Sequence, residues 1–215
     1  MAGPRILLTG FSSFPGAPRN PTEELIDALD VMRLARRLHI DLAATVLPTE
    51  YAAVAEIVPQ LWKELKPDAA IHLGLHGRAR TVRVETKAAN VAAPFRPDAA
   101  GFMPDRPTIE RDGPAYRNVT LPAVPLVVAL NRAGVPARAS PDAGGYLCNY
   151  ATWVSLACAA GRKGRPKGLA GFVHVPWPAE VSAPRARSGR PGWTALSLAV
   201  ETAVAVGARA ARRNA

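Results

Sequence analysis

Three stretches of the chain combine reactive side chains with the glycines and prolines that end strands. They are Gly74-Leu75-His76-Gly77, the run Ser140-Pro141-Asp142-Ala143-Gly144-Gly145-Tyr146-Leu147-Cys148-Asn149, and His174-Val175-Pro176-Trp177-Pro178. Cys148 is the candidate nucleophile. A free thiol with a pKa near 8.5 is only a few per cent thiolate at neutral pH, so it needs a helix N-terminus or a nearby cation to attack a carbonyl. Gly144 and Gly145 let the chain turn tightly and put Cys148 in the first turn of a helix, where the helix dipole and unpaired N–H groups favour a thiolate and could hold an oxyanion. Composition alone favours the plainer reading of Cys148 as a small buried core residue. His174, followed by Val-Pro, is a candidate base, and His76 is a rival by the same placement. His39 and His72 lie among Leu and Ile neighbours inside expected strands and read as structural. Glu85 shares a strand face with Arg83 and Lys87 and, taken alone, reads as one half of a solvent-facing ion pair.

These residues need elements to hold them. Residues 5–10 are a short apolar run ending at a glycine, as a buried parallel strand does, and the loop from Phe11 to Pro21 leads to a helix starting near Thr22 with Leu25, Ile26 and Leu29 on one face. A strand is expected at 38–47. Val54, Ile57, Val58, Leu61 and Leu65 then recur at the helical period despite Pro59. Ala69–Leu75 reads as a third strand, and residues 81–85 alternate as a strand with one wet face. Residues 92–120 carry no sustained period; a loop of that length is usually functional or an oligomer contact, so it is expected near the site. A helix around 122–133, a strand around 136–140, a helix from about 146 to 160, a strand at 169–175, a second long loop and a terminal helix from about 193 complete the pattern. Alternation of strands and helices predicts an α/β domain with a mainly parallel twisted central sheet covered on both faces, and residues 1–215 read as one domain.

The composition sets limits. The chain has 215 residues, 48% hydrophobic and 20% charged, enough for a buried core and unlike a disordered chain. No run approaches the roughly eighteen uninterrupted apolar residues of a membrane span, and Met1-Ala2-Gly3-Pro4-Arg5 does not begin a signal peptide, so no membrane partner and a cytoplasmic location are expected. Cys148 and Cys158 would stand about 15 Å apart on one helix, too far for a disulfide, and neither has zinc-site spacing. The net charge of +10 would suit a nucleic-acid binder if it were clustered. It is scattered over Arg33–Arg37, Arg162–Lys167, Arg185–Arg190 and Arg209–Arg213, without the aromatic interleaving that stacks bases, so no nucleic-acid partner is expected. Thr9-Gly10-Phe11-Ser12-Ser13-Phe14-Pro15-Gly16 lacks both the dinucleotide glycine pattern and the phosphate-loop lysine.

Read together, four segments in order resemble the pyroglutamyl peptidase I family (pyrrolidone-carboxylate peptidases), which are cysteine peptidases. Leu8-Thr9-Gly10-Phe11-Ser12-Ser13-Phe14 with Asn20-Pro21 is similar to the family's opening, and Leu47-Pro48-Thr49 to its next element. Glu85-Thr86-Lys87-Ala88-Ala89-Asn90 resembles the segment with the catalytic glutamate. Ala143 to Asn149 resembles the nucleophile motif, and Gly171-Phe172-Val173-His174-Val175-Pro176 the histidine motif. The resemblance implies a three-layer α/β/α fold, Cys148 as nucleophile, His174 as general base and then acid, and Glu85 as the group that orients the imidazole and stabilises its charged form. It also implies a peptide substrate with N-terminal pyroglutamate, no metal and no cofactor, and a homo-oligomer. Phe11, Phe14, Tyr146 and Leu147 match residues that meet the lactam, and Arg96 matches an arginine near the oxyanion site. Departures fall around the lactam. Leu75 stands where many members carry a hydrogen-bonding glutamine, His76-Gly77-Arg78 replaces a small glycine-rich continuation, and Thr86 replaces an arginine. Two other readings stay open: a thiol hydrolase of the same fold acting on another cyclic amide or N-terminal group, and a non-catalytic basic binding protein for RNA or an acidic partner.

Overall fold

A computed structural model describes residues 3–92, 96–161, 167–182 and 189–214. Its elements are β1 (Arg5–Phe11), α1 (Pro21–Asp27), α2 (Val31–Leu38), β2 (Asp41–Leu47), α3 (Tyr51–Leu65), β3 (Ala69–Leu75), β4 (Val82–Glu85), β5 (Lys87–Ala89), β6 (Tyr116–Asn118), α4 (Ala123–Arg132), β7 (Ala137–Ser140), α5 (Leu147–Ala160), β8 (Leu169–Val175) and α6 (Trp193–Asn214). The main sheet has the order β2-β1-β3-β8-β4-β7. β2, β1, β3 and β8 run parallel, and β4 enters antiparallel to β8 with β7 parallel to β4. β5 and β6 form a separate antiparallel pair.

The side-chain period of a strand explains the layers. Ile6 and Leu8, Ile71 and Leu73, Val82 and Val84, and Val173 and Val175 point to the face covered by α1, α2, α4 and α6. The intervening Leu7, Ala70 and Phe172 point to the face covered by α3 and α5. Thr9, His72, Arg83, Glu85 and His174 fall in this second register and therefore share the α5 side of the sheet. Helices on both faces of a mainly parallel sheet give the expected three-layer α/β/α arrangement.

Several local expectations are corrected. α2 lies where the approach to the second strand was expected: Val31, Leu34, Ala35 and Leu38 recur at the helical period, and the Asp30 side chain caps the helix at Arg33 N. The strand consequently begins at Asp41, and His39 is the exposed left-handed C-cap of α2 (φ 51°) instead of a structural strand residue. Arg33 and Arg37 both bridge to Glu201 on α6, so part of the dispersed basic charge ties helices together. The strand expected to have a wet face is β4, and Glu85 on it is fully buried, with its carboxylate against His174 and Arg83 on that face. The stretch 92–120, expected to carry no element, contains β6. Of the two basic stretches Arg162–Lys167 and Arg185–Arg190, all but Lys167, Gly189 and Arg190 lie outside the described residues. α6 is long and apolar enough to cross a membrane by length and composition, but half of its most apolar window is buried within the fold.

His72 keeps the structural role expected of it. It is fully buried on β3, its Nδ1 lies 2.7 Å from Thr9 Oγ1, and burial pushes its pKa down to about 4. Above the ordinary value near 6.5 the ring is neutral in both folded and unfolded chains. As pH falls from about 6.5 to about 4, the unfolded chain takes up a proton that the folded one refuses, and stability drops by about 3 kcal/mol. Denaturant unfolding at pH 7 and pH 4.5 is expected to show this loss, and His72→Gln to remove that part of the pH slope. An equal slope in the variant would contradict it.

Candidate active site

The segment 140–149 brings the chain from β7 into α5. Gly144 sits at φ +81°, a left-handed conformation that glycine adopts without strain, and α5 opens at Leu147 with Tyr146 as its N-cap and no side-chain cap. Cys148 is thus in the first turn, among the N–H groups that an α-helix leaves unpaired. It is half-buried and not in a disulfide. Asn149, next in the chain, is fully buried. Its Oδ1 accepts from Ala89 N at 2.8 Å, and its Nδ2 donates to Ala89 O at 2.8 Å and Val91 O at 2.9 Å. These three bonds hold the start of α5 to the segment that follows Glu85.

His174 on β8 is 3% exposed, and its Nδ1 lies 2.8 Å from Glu85 Oε1 on β4. Cys148 lines the same cavity as His174. Burial by itself would lower the imidazole pKa; the charge of the Cys148 sulfur, hydrogen bonds from the ring to Cys148 and Glu85, and the Glu85 charge reverse that and push it up to about 9. These contacts favour the protonated ring over the neutral one. Gly74 on β3 stands directly beside His174 in the parallel register. A Cβ there would come within 2.5 Å of the Phe172 ring and 2.9 Å of Cys148 Sγ, so the absence of a side chain at 74 makes room for the sulfur.

Sulfur and imidazole open onto a cavity of about 640 Å³. Phe11, Phe14, Leu75, Tyr146, Leu147 and Arg96 all line it, together with Cys148, His174, His76 and Arg78. Phe11 is buried against Phe172, and Phe14 meets Tyr146 with ring centroids 6.3 Å apart and carries the Arg96 guanidinium carbon 5.3 Å from its ring centre. Tyr146 donates to Pro97 O at 3.1 Å, and its pKa is raised to about 12, first by burial, so it stays a neutral donor.

Arg96 reaches the cavity because the long loop is anchored at Asp98. That buried carboxylate accepts from Tyr51 N at the start of α3 at 2.9 Å and from Ala100 N and Phe102 N within its own loop. Sequence reading gave Asp98 no role; its Asp98-Ala99-Ala100-Gly101 turn was the available signal. Asn20 and Thr49 also line the cavity and brace the Phe14 loop, Asn20 Nδ2 donating to Ser12 O and Thr49 Oγ1 donating to the same oxygen. Their signal was the Asn20-Pro21 and Pro48-Thr49 pairs. His76, the rival base, has Nε2 2.7 Å from Arg83 Nη1 and meets His174 only edge-on at 5.4 Å between centroids. Its pKa is lowered by burial and by the facing His174 and Arg83.

A thiol at a helix N-terminus, an imidazolium against a buried carboxylate and an adjoining apolar cavity form the kind of site that carries out acyl transfer through sulfur. Comparison with known proteins narrows the class. The family model for pyroglutamyl peptidase matches residues 4–214. Pyrrolidone-carboxylate peptidase of Pyrococcus furiosus is 36% identical over 174 residues, covering 80% of this chain and 81% of that one. That of Cupriavidus pinatubonensis is 36% identical over 196 residues, covering 90% and 85%. Among solved structures, pyrrolidone carboxyl peptidase from Thermococcus litoralis superposes with a TM-score of 0.87 at 29% identity, covering 99% of this chain and 96% of that one. Pyroglutamyl peptidase I of Bacillus amyloliquefaciens gives 0.84 at 26% identity, covering 96% and 97%. The chain belongs to the pyroglutamyl peptidase family and is a peptide hydrolase.

Proposed function

We propose that this enzyme removes an N-terminal pyroglutamyl residue from peptides, with Cys148 as nucleophile, His174 as proton carrier and Glu85 as the group that orients His174. The observation that carries this reading is the buried contact of 2.8 Å between His174 Nδ1 and Glu85 Oε1, with Cys148 and His174 together at the wall of one cavity. The thiolate attacks the pyroglutamyl carbonyl, forming the C–S bond. The charge that develops on oxygen is met by N–H groups of the first turn of α5, with Arg96 available from the facing loop. The C–N bond then breaks as the imidazolium gives its proton to the leaving amine. In the second half, neutral His174 takes a proton from water, the hydroxide attacks the thioester, and the thiolate leaves with pyroglutamate released.

Phe11, Phe14, Leu75, Tyr146 and Leu147 supply an apolar surround suited to a compact neutral lactam. Leu75 offers the lactam no polar group, and this is the observation that favours the second reading, a thiol hydrolase of another cyclic amide or N-terminal group. Release of a fluorescent amine from pyroglutamyl and prolyl amides distinguishes the two. We expect the pyroglutamyl amide to be preferred, and Leu75→Gln to raise kcat/KM for it about tenfold while leaving the prolyl amide unaffected. Equal turnover of both amides by the natural enzyme would contradict lactam specificity. A single domain over residues 1–215, a cytoplasmic location and a homo-oligomer remain part of the proposal; sedimentation equilibrium tests the last.

A further inference from the structure

Arg83 and Glu85 are two residues apart on β4 and so share one face of the sheet. The antiparallel register sets Arg83 directly across from His174 on β8. The Arg83 side chain is only 15% exposed, and its guanidinium turns inward. Nη1 is 2.7 Å from His76 Nε2, Nη2 donates to Ser140 Oγ at 2.6 Å, and Nε lies 3.6 Å from Glu85 Oε1. That is the same carboxylate oxygen that meets His174 Nδ1. One fully buried oxygen therefore has two cationic neighbours, one permanent and one that exists only while His174 is protonated.

We propose that Arg83 is a positioning residue of the active site, which holds Glu85 through the half-cycle in which His174 is neutral and limits how strongly His174 retains its proton. The proposal rests on the reading of Cys148 and His174 given above. Once His174 has passed its proton to the leaving amine, Glu85 would be an unpaired buried charge, an arrangement that costs several kcal/mol in general. Arg83 keeps a countercharge beside it at that stage. While His174 is protonated, the same guanidinium takes up part of the carboxylate's field and repels the imidazolium across the strand pair, so the proton leaves more readily. The groups facing His174 are Cys148 from α5, Glu85 and Arg83 from β4, and His76 from the segment after β3. His76 does not replace Arg83 as the cation, because a proton on Nε2 would point into the guanidinium.

The test is an NMR titration of the His174 ring in reduced protein without substrate, paired with steady-state kinetics. Arg83→Gln is expected to raise the His174 midpoint by about one pH unit and to lower kcat about tenfold with little change in KM. Arg83→Lys should restore most of both. Ser140→Ala, which removes a hydrogen bond of Arg83 and keeps its charge, should leave the midpoint in place. An unmoved midpoint in Arg83→Gln, or equal shifts in Arg83→Gln and Ser140→Ala, would overturn the proposal. Should Arg83→Gln not fold, Arg83→Lys decides: a midpoint held at the natural value supports a charge effect, and a rise as large as that expected for the neutral variant overturns it. Because the titration is read without substrate, a protein that shows the shift but hydrolyses no pyroglutamyl amide would overturn the function and leave this coupling standing.

Discussion

Replacing Cys148 by alanine is expected to lower hydrolysis of a pyroglutamyl amide by about four orders of magnitude or more while the protein stays folded. Removing the sulfur removes the atom that forms the acyl bond, and the rest of the machinery has nothing to act upon; in enzymes of this logic, what then remains is the contribution of binding and oxyanion stabilisation. The fold should tolerate the change. Cys148 is half-buried at a cavity wall, so the lost sulfur is replaced by solvent-accessible space instead of a closed core void. Cys158 supplies the control. It lies further along the same helix, does not line the cavity, and has its pKa raised by burial, so Cys158→Ser should retain turnover. Activity measured beside circular dichroism for both variants checks this, and substantial turnover by Cys148→Ala would remove the thiol from the mechanism.

Glu85→Gln is expected to give the second largest loss, about a hundredfold to ten-thousandfold in kcat. The amide keeps the size of the side chain but removes the charge that helps sustain the imidazolium, and it can present an N–H to a nitrogen that needs an acceptor. The sign of the pH effect follows. With Glu85 in place, His174 keeps its proton up to about 9, so the imidazolium needed to protonate the leaving amine is present at neutral pH and is lost as pH rises through that value. Without the carboxylate, one of the two charges opposing desolvation is gone and the alkaline fall in kcat/KM moves to lower pH. The same raised pKa makes His174 stabilise the fold fully below about 6.5, with the contribution lost as pH climbs past 9. A variant whose alkaline limb stays at the natural position would show that Glu85 does not act on His174.

Much of this site was legible because its signals are local. Two glycines before a helix that starts at Leu147 announce a first-turn cysteine, and a strand closed by His174-Val175-Pro176 announces an imidazole at the carboxyl end of a strand. The burial of Glu85 was not legible. The alternation of Arg83, Glu85 and Lys87 with apolar neighbours is what a half-wet strand looks like, and only the antiparallel insertion of β4 against β8, nearly ninety residues later in sequence, encloses that face. The same holds for the reach of Arg96, which depends on Asp98 capping α3 from across a long loop. α2 was hidden for another reason: Arg33, Arg36 and Arg37 mask a short helical period that Val31, Leu34, Ala35 and Leu38 carry. Pairings distant in sequence leave no periodicity to read, whereas caps, turns and strand ends do.

Acyl transfer to Cys148 is tested most directly by quenching the enzyme with acid during turnover of a pyroglutamyl ester or amide and mapping the protein by mass spectrometry. The peptide containing Cys148 is expected to gain the mass of one pyroglutamyl group and to lose it on treatment with hydroxylamine, and Cys148→Ala to show no such gain. Turnover with no adduct on Cys148 in rapid-quench samples, or an adduct on another residue, would contradict it.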